Sequence, residues 1–225
     1  TSVTLAGSFT TSLASTGAGY ITLGGSGVTL TLADAVVLDS RTSNGNISIN
    51  SAVDGSVASS NRALTLLAGT GTVALTGALT NMGALSITGD EISWSAAVAG
   101  TSTLTVKPGT ASRTINVAGS SDAGSSSLDI TAAQLALLGN SFTQITVGGG
   151  SQSGVINLLA DHTSASSLAL TTSGNTNLGG SLTGTGTADL SIVGPVILTG
   201  DDRSLTTASG AILLGSVNSA LESGS

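Results

Sequence analysis

The chain has 225 residues, and serine (37), threonine (33) and glycine (32) together make up about 45% of them. Hydrophobic residues account for 40%, charged residues for 8% and aromatic residues for 2%, and cysteine is absent. Glycine without a Gly-X-Y period excludes a collagen-like chain, and the hydrophobic content excludes a disordered one. The longest uninterrupted apolar runs, such as Ala35–Leu38, have only four residues. A transmembrane helix needs roughly 20 such residues and is therefore excluded.

The charge balance argues against a nucleic-acid partner. Twelve acidic residues against five basic ones give a net charge of −7, whereas nucleic-acid binding depends on clustered lysine and arginine. The basic residues lie at least 6 positions apart and form no cluster in the sequence: Arg41, Arg62, Lys107, Arg113 and Arg203. The absence of cysteine excludes disulfides and cysteine-based zinc sites.

Short runs that alternate apolar and small polar residues recur along the whole chain. A period of two residues over three to five positions predicts short β-strands, and glycine-rich turns such as 69–71 and 184–186 separate the runs. The runs are 28–32, 47–49, 64–66, 85–87, 104–106, 145–147, 168–170 and 190–192.

The spacing of these runs predicts a right-handed parallel β-solenoid. The distances are 21 residues from Leu64 to Leu85, 19 from Leu85 to Leu104, and 22 between Leu168 and Leu190. One such unit contains three predicted strands, at 64–68, 72–76 and 78–81. A sandwich favours longer strands and tight Asn-Gly or Asp-Gly hairpins, which occur only at 44–45 and 54–55. Coils of about 19–22 residues, stacked roughly 4.8 Å apart, predict ten or eleven coils in a rod about 50 Å long.

The composition fits the narrow interior of such a solenoid. Aliphatic side chains and alanine fill the interior, glycine serves the corners, and serine and threonine suit the pleated outer surface. Trp94 alternates with serines and is expected either to fill a core layer or to cap a corner.

One segment, 119–139, interrupts the pattern and predicts a loop followed by a short helix. Gly119–Ser127 has the composition of a loop, and 128–139 favours a helix, centred on 131–138. Thr131 and Gln134 form a capping box, Ile130 and Leu135 occupy staple positions, and Gly139 suits the helix end. Strand alternation resumes at 142–147.

Candidate catalytic residues are few, and we predict none that acts as such. His162 is the single histidine, next to Asp161 and close to Ser164, Ser166 and Ser167. Neighbours along a strand point to opposite faces, so their adjacency does not build a triad. We expect His162 to be a solvated turn residue, and we predict no catalytic, cofactor-binding or metal-binding residue.

Two pairs of adjacent acids, Asp90-Glu91 and Asp201-Asp202, each follow a glycine. Paired carboxylates can serve glycoside hydrolysis or bind Ca²⁺, but these positions favour solvated charges at turns. Weak Ca²⁺ binding at the acidic turns is left open. The phosphate-loop pattern is absent, because the single lysine, Lys107, precedes Pro108.

Thr-x-Thr sets offer a different surface function, because regular outward threonine ladders resemble those of ice-binding proteins. The sets are 29/31, 70/72, 101/103/105 and 183/185/187, and they do not recur at a constant offset within each coil. An ice-binding solenoid and a carbohydrate-active β-helix enzyme therefore stand as the alternatives. The enzyme would need acids, a base and aromatic platforms such as Tyr20 or Trp94 to be gathered together.

The stretch from Leu64 to Gly89, LTLLAGTGTVALTGALTNMGALSITG, resembles the coils of filamentous-haemagglutinin-type exoproteins. The block 128–158, LDITAAQLALLGNSFTQITVGGGSQSGVINL, is similar to a segment of giant bacterial β-strand-repeat surface proteins. The resemblance covers most of the chain in style and implies a right-handed β-helix shaft, commonly exported by two-partner secretion.

We therefore expect residues 1–225 to form one continuous solenoid segment of a longer repeat chain, because the chain starts and stops within the pattern. The resemblance implies a non-catalytic structural shaft of an extracellular bacterial adhesin, surface filament or surface layer. Its expected partners are neighbouring repeats of the same chain, with self-association into filaments as a further possibility.

Overall fold

The computed structural model describes residues 2–11, 19–57, 60–139, 141–200 and 202–219. These residues form an all-β parallel solenoid of about nine turns with one short helix, which confirms the predicted fold class. At about 4.8 Å per turn the stack is roughly 40 Å long. The prediction of ten or eleven coils in a rod about 50 Å long was therefore too high.

The helix α1 spans Ala132–Ala136. The strands, in chain order, are β1 (Ser2–Thr10), β2 (Ile21–Leu23), β3 (Thr29–Asp39), β4 (Ile47–Ile49), β5 (Ala52–Asp54), β6 (Ser56–Val57), β7 (Ser60–Asn61), β8 (Leu64–Leu67), β9 (Thr72–Leu75), β10 (Leu79–Met82), β11 (Leu85–Thr88), β12 (Glu91–Trp94), β13 (Val98–Gly100), β14 (Thr103–Lys107), β15 (Thr114–Gly119), β16 (Ser127–Thr131), β17 (Gln144–Gly148), β18 (Ile156–Leu158), β19 (His162–Ser164), β20 (Ser167–Thr171), β21 (Thr176–Leu178), β22 (Leu182–Gly184), β23 (Leu190–Val193), β24 (Val196–Leu198), β25 (Leu205–Thr207), β26 (Ile212–Leu214) and β27 (Val217–Ser219).

Parallel pairing arranges these strands in three walls. The first wall stacks β1, β3, β8, β11, β14, β17, β20, β23 and β26. The second wall contains β2, β4, β9 and β12, followed by β16, β15, β18, β21, β24 and β27. The third wall contains the first halves of β1 and β3 with β5, β10 and β13, and, beyond the helix, β19, β22 and β25. Among the described residues, the β6–β7 hairpin is the one antiparallel pair.

Apolar side chains from successive coils stack in columns inside the walls. In the first wall Leu64, Leu85 and Leu104 pair in register, and each is 1% exposed. The second inward column passes through Leu66 and Ile87. Because strand side chains alternate between faces, the residues between these columns face outward and are small and polar.

A corner between the first and second walls requires glycine. A β-carbon built on Gly71 would lie 2.7 Å from the carbonyl oxygen of Gly45 in the coil below. Any larger residue would force adjacent coils apart, so this corner depends on close backbone approach.

The coil length of 19–22 residues holds in only part of the chain. The pairing of Val36 with Leu64 gives a first-wall period of 28 residues, and Ile47 pairs with Val73, a period of 26 in the second wall. The longer coils accommodate the β6–β7 hairpin and a wider turn at 41–44. Extra residues at corners leave the register of the walls unchanged.

The insert at 119–139 is partly as predicted. The helix Ala132–Ala136 is capped by Thr131, and Thr131 and Gln134 form the reciprocal capping box. The helical prediction for 128–130 is wrong, because Ser127–Thr131 is a strand that pairs in parallel with β15. The unpaired edge of β15 offers these residues hydrogen bonds that a longer helix would forgo.

The insert adds one strand to the second wall. β16 pairs with the side of β15 that faces β12, although it follows β15 in sequence. The chain then forms α1, which contacts β15 and β16, and Leu138 makes an isolated parallel bridge to Val98 of β13 in the third wall. In this coil a single bridge thus takes the place of a third-wall strand.

Trp94 joins the helix to the solenoid core. Its side chain is 4% exposed, and its Nε1 donates a hydrogen bond of 2.8 Å to the carbonyl oxygen of Gln134. The side-chain Nε2 of Gln134 in turn donates to the carbonyl oxygen of Ile92 at 3.2 Å. Of the two positions expected for Trp94, the structure shows the core layer.

In the described part of the chain, no helix has the length and apolar character needed to span a bilayer.

Two buried threonines provide a test of the interior. The hydroxyl of Thr176 has no hydrogen-bond partner, whereas that of Thr172 donates to the carbonyl oxygen of Gly154 at 2.7 Å. Thr176→Val should therefore raise the free energy of unfolding by about 1 kcal/mol, because it replaces an unsatisfied hydroxyl with a methyl group. Thr172→Val should lower it by about 1–3 kcal/mol. Urea unfolding followed by circular dichroism measures both, and equal effects in the two variants would contradict the assigned hydrogen bonding.

Candidate functional site

His162 is the first residue of strand β19, and its side chain is half-buried. It occupies the column of Leu182 and Leu205, in which Leu182 is fully buried. The expectation of a solvated turn histidine is therefore wrong. Burial lowers the pKa of His162, so the imidazole is neutral at pH 7.

The neighbours of His162 are engaged elsewhere. The Asp161 carboxylate accepts a hydrogen bond from the Ser181 amide at 2.7 Å. The Ser164 hydroxyl donates to the carbonyl oxygen of Ser166 at 2.7 Å. Each group supports a turn of the backbone, and together they provide neither a nucleophile nor a relay to the imidazole.

The Asp90-Glu91 pair lies in a buried network, which corrects the prediction of solvated turn charges. Asp90 is 7% exposed and accepts hydrogen bonds from the amide of Thr110 at 2.7 Å and from its hydroxyl at 2.6 Å. The Arg113 guanidinium lies 3.7 Å from Asp90 and 2.6 Å from Glu91. The same guanidinium donates to the carbonyl oxygen of Ser125, so the network fastens the loop of the insert to the wall.

Burial is the main influence on the Glu91 carboxyl. It raises the pKa of Glu91, and the hydrogen bond from Arg113 offsets only part of this effect. A carboxyl with a raised pKa can act as a general acid in a glycosidase. Here Glu91 is ion-paired with Arg113 within a structural network, and the Asp90 carboxylate beside it is already bonded to Thr110.

The second acidic pair is only partly described, because Asp201 lies outside the described residues. Asp202 is exposed and has a positive φ of 44°. Within the described ranges no three histidine or acidic side chains converge as metal ligands would.

A hydrogen-bonded column of asparagines crosses the outer face of the second wall, and it was not among the sequence predictions. Asn177 donates to the side chain of Asn157 at 2.8 Å, Asn157 donates to Asn116 at 2.9 Å, and Asn116 donates to Asp129 at 2.8 Å. Asp129 is 5% exposed and also accepts from the Ser127 hydroxyl at 2.9 Å. Aligning the coils at the inward residues Val117, Leu158 and Leu178 would have placed the three asparagines in one column.

Aromatic side chains do not form a sugar-binding platform. Trp94 and Phe142 are buried at 4% and 3% exposure, whereas Tyr20 is 64% exposed on an early coil. The aromatic rings and the acids that an enzyme would need are thus not gathered at one place in the described residues.

The Thr-x-Thr sets fall on different walls. Thr29 and Thr31 lie in the third wall, Thr72 in the second, and Thr103 and Thr105 in the first. A different column, Thr163, Thr183 and Thr206, is in register in the third wall. This column is one residue wide and three coils long, so it does not form a broad threonine array.

Two of the basic residues approach one another despite their distance in sequence. Arg41 and Lys107 line a groove of about 180 Å³ at the corner between the first and second walls, with Thr88, Gly109 and Gln152 among the other lining residues. We call it the corner groove. The position of Arg41 was not visible in the sequence, because it depends on how coils of unequal length align.

Comparison with protein-family models, with curated proteins and with solved structures finds no match to this chain.

The Arg113 network predicts unequal roles for two arginines. Arg113→Met leaves the acids of a largely buried network without their cation and should lower the free energy of unfolding by about 3 kcal/mol. Arg41→Met is the control, since the Arg41 side chain is 56% exposed in its ion pair with Asp39 and exposed pairs contribute about 1 kcal/mol or less. Chemical denaturation of both variants measures the difference, and equal losses would contradict the assigned role of Arg113.

His162 predicts a distinct pH dependence of stability. Its pKa in the folded chain is below the unfolded value of about 6.5, so the unfolded state binds the proton first as the pH falls. The free energy of unfolding should therefore decrease below about pH 6.5, and His162→Gln should remove this component. The slopes should differ by at most about 1.4 kcal/mol per pH unit. Thr163→Gln, on the exposed neighbour, is the control and should keep the wild-type slope, and a wild-type slope in His162→Gln would refute the assignment.

Proposed function

We propose that this chain is a non-catalytic structural shaft segment of an extracellular bacterial adhesin, surface filament or surface layer. The observation that carries the proposal is the unbroken stacking of the first wall, in which every strand pairs with its neighbour from β1 to β26. Such a stack supplies length and rigidity, and its stability is roughly the sum of contributions from its coils and their interfaces.

The outer surface supports a passive role. The outward column of the first wall runs through small side chains and ends at the exposed Leu213: Thr65, Ser86, Thr105, Thr146, Ala169, Ser191 and Leu213. None of these side chains is an acid or a base. The acids that come closest to a catalytic pair, Asp90 and Glu91, are held in the Arg113 network.

The resemblance to filamentous-haemagglutinin-type exoproteins supports the location. The solenoid form agrees with what that resemblance implies, and coils such as 64–89 carry it in sequence. An extracellular position on a bacterial surface, and export as part of a longer chain, belong to this proposal.

Both ends of the described stack expose apolar side chains that neighbouring repeats could cover. Val3 and Phe9 continue the inward columns of the next coil and are 43% and 39% exposed, while Ile212 and Val217 at the other end are 41% and 52% exposed. We propose that these end coils accept neighbouring repeats of the same polypeptide. End-to-end stacking of copies into filaments is the variant of this proposal, since one end would pair with the opposite end of the next copy.

Removal of one complete coil tests the shaft. Leu168 pairs with Leu190, so deletion of 168–189 brings equivalent residues onto the coil below. The variant should remain folded and shorten the rod by about 4.8 Å, as measured by circular dichroism and small-angle X-ray scattering. Deletion of 168–178 is the control, because it removes half a coil, sets strands of one wall against another, and should prevent folding.

Polysaccharide cleavage separates the shaft from the enzyme alternative. If the chain is a shaft, the purified chain should release no new reducing ends from a panel of polysaccharides. The complete-coil deletion should also leave cell-surface attachment of the whole protein unchanged. Polysaccharide cleavage that is lost in His162→Ala, or attachment that is lost with the single coil, would overturn the proposal.

A further inference from the structure

The corner groove differs in charge from the rest of the molecule. The chain has twelve acidic and five basic residues, yet two of the five bases line this groove and none of its lining residues is acidic. The groove crosses several coils, from Arg41 to Gln152. Because Arg41 is paired with Asp39, the groove carries one uncompensated cation, Lys107, on an otherwise acidic chain.

Lys107 supplies a positive charge without a counterion. Among the described residues its ammonium group makes neither a hydrogen bond nor an ion pair, since all three ion pairs belong to Arg41 or Arg113. Its aliphatic stem runs beside Gly149 of the next coil, where a β-carbon would lie 3.7 Å from Cδ. The stem thus passes close to the next coil, while the ammonium group is unpaired among the described residues.

The neighbouring acids are committed to other groups. Asp39 receives two hydrogen bonds from the Arg41 side chain, at 3.0 and 2.7 Å, which fixes the guanidinium at the rim of the groove. Asp90 is bonded to Thr110 and lies near Arg113. Neither carboxylate pairs with Lys107.

Thr88 adds an unsatisfied hydroxyl to the same groove. It pairs with Lys107 across adjacent first-wall strands, is 7% exposed, and its Oγ1 has no hydrogen-bond partner. A buried hydroxyl without a partner is costly, and rotation about the Cα–Cβ bond can move this hydroxyl from its buried position toward the groove. A ligand with an acceptor oxygen in the groove would satisfy it.

We propose that the corner groove binds a small oxyanion group, a sulfate or a carboxylate. Lys107 would donate charge-assisted hydrogen bonds, and the Thr88 hydroxyl would donate a further one. Arg41, paired with Asp39, forms the rim. The volume of about 180 Å³ holds several water molecules and so accommodates one such group. This inference concerns ligand binding and does not depend on the shaft proposal.

Titration with sodium sulfate, balanced with sodium chloride to constant ionic strength, tests the site. The amide signals of Thr88 and Gly109 in ¹H–¹⁵N spectra should shift saturably. Lys107→Met, which keeps the length of the stem, should weaken binding at least tenfold, and Thr88→Val should weaken it about threefold. Arg203→Met is the control, since it removes a positive charge outside the groove and should leave affinity unchanged.

Further arms distinguish the source of the anion. Saturation by glucuronate but not by glucose assigns a carboxylate carried on a sugar, and saturation by sulfate alone assigns a free inorganic anion; both support an oxyanion site. Shifts that grow linearly with every anion, or equal affinity in Lys107→Met and the wild type, would overturn the proposal.

Discussion

Parallel pairing without a change of register is the constraint on which the solenoid depends. A shift of one residue between two coils would turn the inward column of Leu85 and Leu104 toward solvent and bring threonine and serine into the core. The walls therefore tolerate irregularity only where it does not propagate. Within the described residues, breaks in register occur inside strand pairs at 5–7, 79–82 and 117–119, and the pairing resumes beyond each.

The same constraint explains what the sequence could predict. Alternation of apolar and polar residues, repeated at 19–22 residues, defines both the strands and their stacking, so the three strands near 64–82 were predicted within one or two residues. The capping box at Thr131 was predictable because it is local. The strand at 128–130 was not, because its alternation is only three residues long and adjoins a helix signal, and the choice depends on the distant edge of β15.

Long-range geometry also decides the fate of the polar residues. Asp90 follows a glycine, as a solvated turn residue would, but the next coil brings Thr110 and Arg113 over it. The column of Asn116, Asn157 and Asn177 likewise depends on how coils of 41 and 20 residues align. The Asp90 network leaves no periodic signal, because its partners occur in the next coil alone. The asparagines share one wall position, but this is visible only once coils of unequal length have been aligned.

These polar networks bear on function because they engage the carboxylates and the arginine that a catalytic site would need. The acids near the insert neutralise Arg113 or end the asparagine column, and in doing so they hold an irregular loop against a regular wall. Lys107 is the exception, because its ammonium group is paired with no carboxylate among the described residues. A solenoid can carry such a groove without disturbing its fold, because each coil contacts mainly its neighbours and a groove at one corner leaves the stacking of the walls intact.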